Sequence, residues 1–381
     1  MIYVIQRELP HYRIPFFLEL SKLADIKVLY CKSSFDTANT KVAGRYQDAC
    51  KDDIFHRVKG LFPTLNPYVS YLCTTWLIIK DRPSIIIHEM SLSIINVYFI
   101  PLIAKLLNIK LIWWGHGYNR FDKTGNLILK RKLRILLHRS SKASIVYSQK
   151  GKLFLTEFGI DPKKIFVAWN TTDTKEFERC SLLNIPALSK EIKNPEGNRE
   201  ISFVYIARLI KEKKPLFVAE LFLRLAVKYS RCKFHIIGSG PEENYLNRLL
   251  ASRRYENIYF HGAITDTRII ATILSSCDAM ISPGYLGLNI IDALANGIPV
   301  IAVKDGISGV FHSPEIEYIE NEEAFIDAGD LSLDAFESCC SSLIENRDKL
   351  ERAKLSAQNC FKKISMTKML SGFKCAIEYV T

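Results

Sequence analysis

The chain has 381 residues, 48% hydrophobic and 24% charged, with a formal net charge of +12. That length exceeds one ordinary core, so two domains are expected of a composition ordinary for a soluble globular protein. Ten cysteines occur without a C-x-x-C or a cysteine–histidine cluster of zinc spacing, which excludes a zinc module and points to reduced, buried thiols in a cytosolic protein.

The charge is uneven. Residues 1–180 hold 28 Lys+Arg against 15 Asp+Glu, whereas the remainder holds 24 against 25. The first half should therefore meet something anionic: a membrane surface, a phosphorylated substrate or nucleic acid. The N-terminal MIYVIQRELPHYRIPFF is interrupted by Arg7, Glu8 and Pro10, so it does not read as a signal peptide. Strands are expected at Ile2–Ile5, Ile26–Tyr30, Ile85–His88, Lys110–Trp113 and Ala143–Tyr147. The apolar run at 90–104 contains Pro101 and, at about 15 residues, is too short to cross a bilayer. WWGHGYN at 113–119 follows a strand and places His116 between two glycines, where its ring can reach a cleft or simply hydrogen-bond within the loop. Residues 127–142 combine Leu127, Ile128, Leu129, Leu133, Ile135, Leu136 and Leu137 with six Lys/Arg. Two readings stay open there: a basic helix lying on anionic lipid, and an ordinary helix packed on its own sheet.

The stretch 184–199, NIPALSKEIKNPEGNR, has two prolines, a glycine and no periodicity, and is the expected linker. Beyond it, strands are expected at Ile201–Ile206, Lys233–Ile237, Ile258–Phe260, Ala279–Ile281 and Pro299–Val303, with helices over Pro215–Tyr229 and Pro241–Arg253. Strands alternating with helices argue for an α/β fold with parallel sheets, and two such domains facing a central cleft would bind ligands at the carboxyl ends of the strands.

Three strand-to-helix turns in this half carry chemistry. YIARLIKEKKP at 205–215 sets Arg208 and Lys213 around one turn, a cationic pair suited to a diphosphate. IIGSGP at 236–241 lets Gly238 and Gly240 admit a closely approaching ligand. Glu243 stands where a dinucleotide fingerprint would continue with glycine, which argues against a nicotinamide oxidoreductase. CDAMISPGYLGLNIIDALANGIPVIAV at 277–303 reads as strand, glycine turn, helix and strand. Its turn amides suit a phosphate, and Asp292 suits a diol such as that of a ribose.

Together LPHYRIPFF, WWGHGYN, VAWNTTD, YIARLIKEKKP, FHIIGSGPE, NIYFHGAI and PGYLGLNIIDALANGIPVIA resemble the family 4 glycosyltransferases of GT-B architecture, of the bacterial surface-polysaccharide type. The resemblance implies two Rossmann-like domains. Residues 1–183 form the acceptor side, joined by a C-terminal helix at 362–381, and residues 200–361 hold the nucleotide sugar. It also implies retention of anomeric configuration and no essential metal or other cofactor. By position, Arg208 and Lys213 neutralise the donor diphosphate, and His116 touches the donor sugar. Gly238 and Pro241 line the base pocket with Gly240, the backbone near His261–Ile264 reads the base, and the amides of Leu288 and Asn289 meet the phosphates. Asp292 stands for a ribose-binding glutamate, while Tyr12, Arg13 and Asn119 belong to the acceptor side. Two positions depart from the family. Gly284 replaces a sugar-binding acid, so that the amides of Tyr285–Leu288, including Gly287, are expected to take over its contact. Lys214 replaces a glycine.

The expected reaction moves a sugar from a UDP- or GDP-sugar to a hydroxyl of a lipid-linked glycan, in O-antigen or capsule synthesis. The enzyme would be cytoplasmic and peripheral on the anionic inner membrane face. The alternatives are a nucleotide-sugar 2-epimerase of the same architecture and a non-catalytic scaffold; nucleic-acid binding lacks a recognisable module.

Overall fold

The computed structural model describes residues 1–33, 52–58, 72–118, 128–175, 201–251, 255–264 and 266–381. The expected linker 184–199, Asn119 and Leu127 lie outside the described residues. The chain divides into two compact units, Met1–Asp173 with Met366–Thr381, and Thr174–Ser365.

The first unit is built on a parallel sheet of β1 (Ile2–Leu9), β2 (Ile26–Ser33), β3 (Phe55–Arg57), β4 (Ile85–Glu89), β5 (Lys110–Gly115), β6 (Ala143–Val146) and β7 (Ile165–Val167). Its order is β3-β2-β1-β4-β5-β6-β7. Strands covered on both faces read as unbroken apolar runs, and Ile2-Tyr3-Val4-Ile5 and Leu111–Trp114 are buried throughout. Side chains alternate between two cores. One holds Phe16, Phe17, Trp114 and Phe373; the other holds Ile78, Val97, Ile100, Trp113 and Leu137. The helix Met366–Val380 packs Met369, Phe373 and Ala376 into the first core.

The second unit has a parallel sheet of β8 (Ser202–Ile206), β9 (Lys233–Ile237), β10 (Ile258–Phe260), β11 (Ala279–Ile281), β12 (Val300–Ala302) and β13 (Phe325–Asp327), in the order β10-β9-β8-β11-β12-β13. Phe203, Tyr205, Phe222, Phe234 and Phe336 fill its core.

All ten expected strands are present. Among the described residues three strands are unforeseen, β3, β7 and β13; each is a three-residue edge strand with at least one partly or fully exposed position, too short and too mixed in polarity to carry a periodic signal. In each sheet the chain runs outward in one direction and then in the other, from β1 and β4 in the first unit and from β8 and β11 in the second. The loops leaving those neighbouring strands diverge and open a crevice at their carboxyl ends. In the second unit these are the loops that carry Arg208, Lys213 and Gly284–Leu288.

Candidate functional site

Lys213 organises the second unit's crevice. It ends a single 3₁₀ turn, Lys211–Lys213, and is only 8% exposed. Its Nζ donates to the Tyr285 carbonyl at 2.6 Å and lies 3.4 Å from the centroid of the Tyr285 ring. The Tyr205 hydroxyl donates to the Lys213 carbonyl at 3.0 Å, fixing the backbone as well. Burial, followed by the nearby Arg208 charge, lowers the ammonium pKa to about 8, against the pull of Glu315. Arg208 itself is exposed. The cationic pair therefore consists of one desolvated, anchored ammonium and one guanidinium free to reach solvent.

Gly284 is buried directly against this lysine's backbone. A Cβ there would lie 2.4 Å from the Glu212 carbonyl oxygen and 2.6 Å from Lys213 Cα. The position where the resembled family carries an acid accommodates no side chain, because the 212–213 backbone fills the space. In the turn that follows, the Leu286 amide donates to His312 Nδ1 at 2.9 Å. The Gly287 amide donates to Asn289 Oδ1 at 3.1 Å, and Asn289 Nδ2 donates to the Ile206 carbonyl at 3.0 Å. The protein itself holds two of the turn amides, so the expected sugar contact by the amides of Tyr285–Leu288 narrows to those of Tyr285 and Leu288.

Asp292 lies in the helix Asn289–Ala295. Desolvation pushes its carboxyl up to about 7, so without hydrogen-bond donors beside it the group keeps a proton into the neutral range.

Gly238 and Gly240 have a different neighbour from the expected ligand. A Cβ at Gly238 would lie 1.9 Å from the Ala207 carbonyl oxygen, and one at Gly240 would lie 2.6 Å from that of Leu209. Hydrogen bonds from the Leu209 amide to Ser239 O and from the Glu242 amide to Leu209 O join the two loops. These glycines let the Arg208 loop lie flat on the 238–242 loop. Pro241, next to them, is exposed. His261 stacks on His235 at 5.3 Å with 7° between the planes, their Nε2 and Nδ1 3.0 Å apart. Burial, reinforced by His261, lowers His235 to about 4, so this pair is neutral at physiological pH.

The first unit gathers a second cluster at the ends of β1 and β5. Arg13 is 4% exposed and donates through Nη2 to Asn170 Oδ1 at 2.6 Å and to the Tyr147 hydroxyl at 3.3 Å. Its guanidinium lies over Trp114, Tyr147 and Tyr12, at 4.8, 5.3 and 5.6 Å from the ring centroids. His116 is exposed and meets Tyr147 edge-on at 5.1 Å. Three residues singled out in the sequence, Tyr12, Arg13 and His116, thus share one neighbourhood. Tyr147 and Asn170 join it from the residue after β6 and from the VAWNTTD segment, and nothing in the spacing of either predicts the contact. Burial makes Arg13 a support for this cluster, and exposure leaves His116 able to meet a ligand.

Residues 188–358 match the family model for glycosyl transferases group 1. Among curated proteins, a 136-residue stretch is 24% identical to alpha-monoglucosyldiacylglycerol synthase of Acholeplasma laidlawii, covering 32% of this chain and 34% of that one. The matches span less than half the length of the curated relatives. Among solved structures, a glycosyltransferase from Rickettsia africae ESF-5 superposes with a TM-score of 0.67 at 17% identity, covering 100% of this chain and 99% of that one. Anabaena Alr3699/HepE in complex with UDP and glucose gives 0.65 at 14% identity, covering 99% of both chains. UDP-GlcNAc 2-epimerase from Neisseria meningitidis, bound to UDP-GlcNAc, gives 0.60 at 16% identity, covering 96% of this chain and 99% of that one. These structural likenesses establish the fold: two Rossmann-like domains of the GT-B type. The second unit therefore contains the stretch that matches the glycosyl transferases group 1 model, in a chain of GT-B fold.

Proposed function

We propose that this protein transfers a sugar from a nucleoside diphosphate sugar to an acceptor hydroxyl with retention of configuration. The observation that carries the reading is Lys213: a buried ammonium anchored on Tyr285, beside Arg208, at the crevice between β8 and β11 of a glycosyl transferases group 1 domain. A diphosphate supplies the charge that such a pair lacks. As the anomeric bond breaks, negative charge grows on the leaving phosphate, and cations fixed beforehand lower that barrier without reorganising. Arg208, Lys213 and the amides of Leu288 and Asn289 stabilise the leaving group, and Asp292 holds the ribose hydroxyls. His116 meets the donor sugar, and the leaving phosphate oxygen takes the acceptor proton. The UDP complexes among proteins of the same fold support a UDP-sugar as the first donor to try.

Arg208→Ala should lower kcat by about 10²-fold, the scale for one lost transition-state donor; wild-type turnover would refute the assignment. Incubation with donor alone separates the epimerase reading, since slow hydrolysis supports transfer and an inverted C2 supports epimerisation.

The acceptor we propose is a lipid-linked glycan of surface-polysaccharide synthesis, met at the inner face of the cytoplasmic membrane. Among the described residues no helix is long and apolar enough to cross a membrane. The helix Ile128–Ser140 buries Ile135 and Leu137, yet it exposes Leu129 and Leu136 beside Lys132 and Arg139. Helices 72–81 and 100–106 pack on the same core and expose Trp76, Leu102 and Leu106. Apolar side chains interleaved with cations suit an anionic bilayer surface. Failure to co-sediment with phosphatidylglycerol vesicles at low salt would remove this part of the reading.

A further inference from the structure

Glu315 has no role in the sequence motifs, yet it is 3% exposed in the 3₁₀ turn Pro314–Tyr318. A carboxylate that buried requires a cation or hydrogen-bond donors nearby. The segment preceding it is fastened to the turn that contacts Lys213. The Ser313 amide donates to the Leu286 carbonyl at 3.0 Å, and the Leu286 amide donates to His312 Nδ1. His312 is fixed in turn, with Nε2 2.7 Å from the Val303 carbonyl and its amide donating to Asp305 Oδ1 at 2.6 Å. A Cβ built on Gly287 would lie 3.8 Å from Ser313 Oγ and 4.0 Å from Lys213 Nζ, so this segment and the ammonium flank the same point. Glu315 follows two residues later and acts on Lys213 through its charge.

We propose that Glu315 is the acidic member of the diphosphate centre, a positioning residue that keeps Lys213 charged and aimed at the donor. The inference rests on the glycosyl-transfer reading of this site and adds a residue to it.

The Lys213 ammonium lies against the Tyr285 carbonyl and ring, its backbone carbonyl accepts from Tyr205, and the charges that act on it are those of Arg208 and Glu315. Burial and Arg208 lower the ammonium pKa to about 8, and Glu315 opposes them. Replacing Glu315 by the isosteric, neutral Gln should therefore drop the Lys213 midpoint by about one pH unit, the lower end of the shift caused by a close opposite charge. From a midpoint near 8, that drop costs about five-fold of the protonated form at pH 8 and under about 1.5-fold at pH 6.5.

The test uses the full chain labelled at lysine Cε, with Lys213 assigned through K213R, and follows its ¹³C shift with pH. E315Q should lower the midpoint by about one unit, whereas E315D, which keeps the charge, should hold it near wild type. An unchanged midpoint in E315Q, or an equal drop in both variants, overturns the proposal. Should E315Q fail to fold, the Glu315 carboxyl carbon of the wild-type protein must report a titration with the Lys213 midpoint, and its absence overturns the proposal equally. Calorimetry with UDP and GDP completes the test. E315Q should bind about five-fold more weakly than wild type at pH 8 and nearly equally at pH 6.5. K213R/E315Q should show no such pH dependence, because a guanidinium does not titrate there. A wild-type protein that binds neither nucleotide would refute the transfer reading, while the lysine titration would still judge the contact with Glu315.

Discussion

Restoring a side chain at Gly284 should break the site. In Gly284→Ala the new Cβ would stand 2.4 Å from the Glu212 carbonyl oxygen, 2.6 Å from Lys213 Cα and 2.8 Å from Lys213 C. All three are backbone atoms, so no rotamer change relieves the overlap and the 212–213 loop must withdraw. Overpacking of this kind costs roughly 1–3 kcal/mol. The upper end applies, because withdrawal also strains the bonds from the Tyr205 hydroxyl to Lys213 O and from Lys213 Nζ to Tyr285 O, each contributing about 1 kcal/mol. For a unit of this size, about 3 kcal/mol corresponds to a fall in Tm of roughly 6–12 °C. The matched control is Gly287→Ala, whose Cβ would meet nothing closer than 3.8 Å and should change stability by under about 0.5 kcal/mol. Calorimetric unfolding of wild type and both variants, with and without UDP, reads the difference. If Gly284→Ala melts within about 1 °C of wild type and binds UDP equally well, the tight apposition of the two loops is wrong. Gly284→Glu, which introduces the acid of the resembled family, should behave no better than the alanine variant.

Other consequences follow from backbone strain and titration. Lys214 holds φ 56°, ψ 49° at the start of the helix Pro215–Lys228, a left-handed conformation that costs a non-glycine residue about 1–2 kcal/mol. Lys214→Gly should recover roughly 0.5–1 kcal/mol once the entropy of glycine is deducted, seen as a higher urea midpoint; a lower midpoint would show that the lysine side chain contributes more than its backbone costs. Asp292 has its folded pKa raised to about 7, above the unfolded value of about 3.9. The folded state therefore keeps a proton that the unfolded chain releases, and this contribution is fully present below about pH 4 and lost as pH rises through about 7. Asp292→Asn should flatten that part of the stability profile in urea unfolding at pH 4.5, 6 and 7.5. An unaltered slope would show that the carboxyl is not desolvated.

The two sheets were legible from the sequence because doubly covered parallel strands leave unbroken apolar runs such as IYVI at 2–5 and FVYI at 203–206. The positions of Arg208, Lys213, Gly284 and Asp292 were legible too, as strand-to-helix turns have recognisable spacing. What local pattern could not supply was the partner of each residue. Gly238 and Gly240 read as openings for a ligand, but tertiary structure presses them against Ala207 and Leu209. Gly284 read as a missing acid, and the fold shows a position filled by neighbouring backbone. Tyr147 and Asn170 reach Arg13 from 134 and 157 residues away, and His312 and Ser313 reach the turn at 284–288 from a separate loop. Periodicity and motif spacing report which residues share a strand or a turn, since both are set by the few φ/ψ angles between them. Burial, charge coupling and close backbone approach arise only when distant segments pack, and those contacts decide that Lys213 is an anchored cation rather than one more lysine in a basic loop.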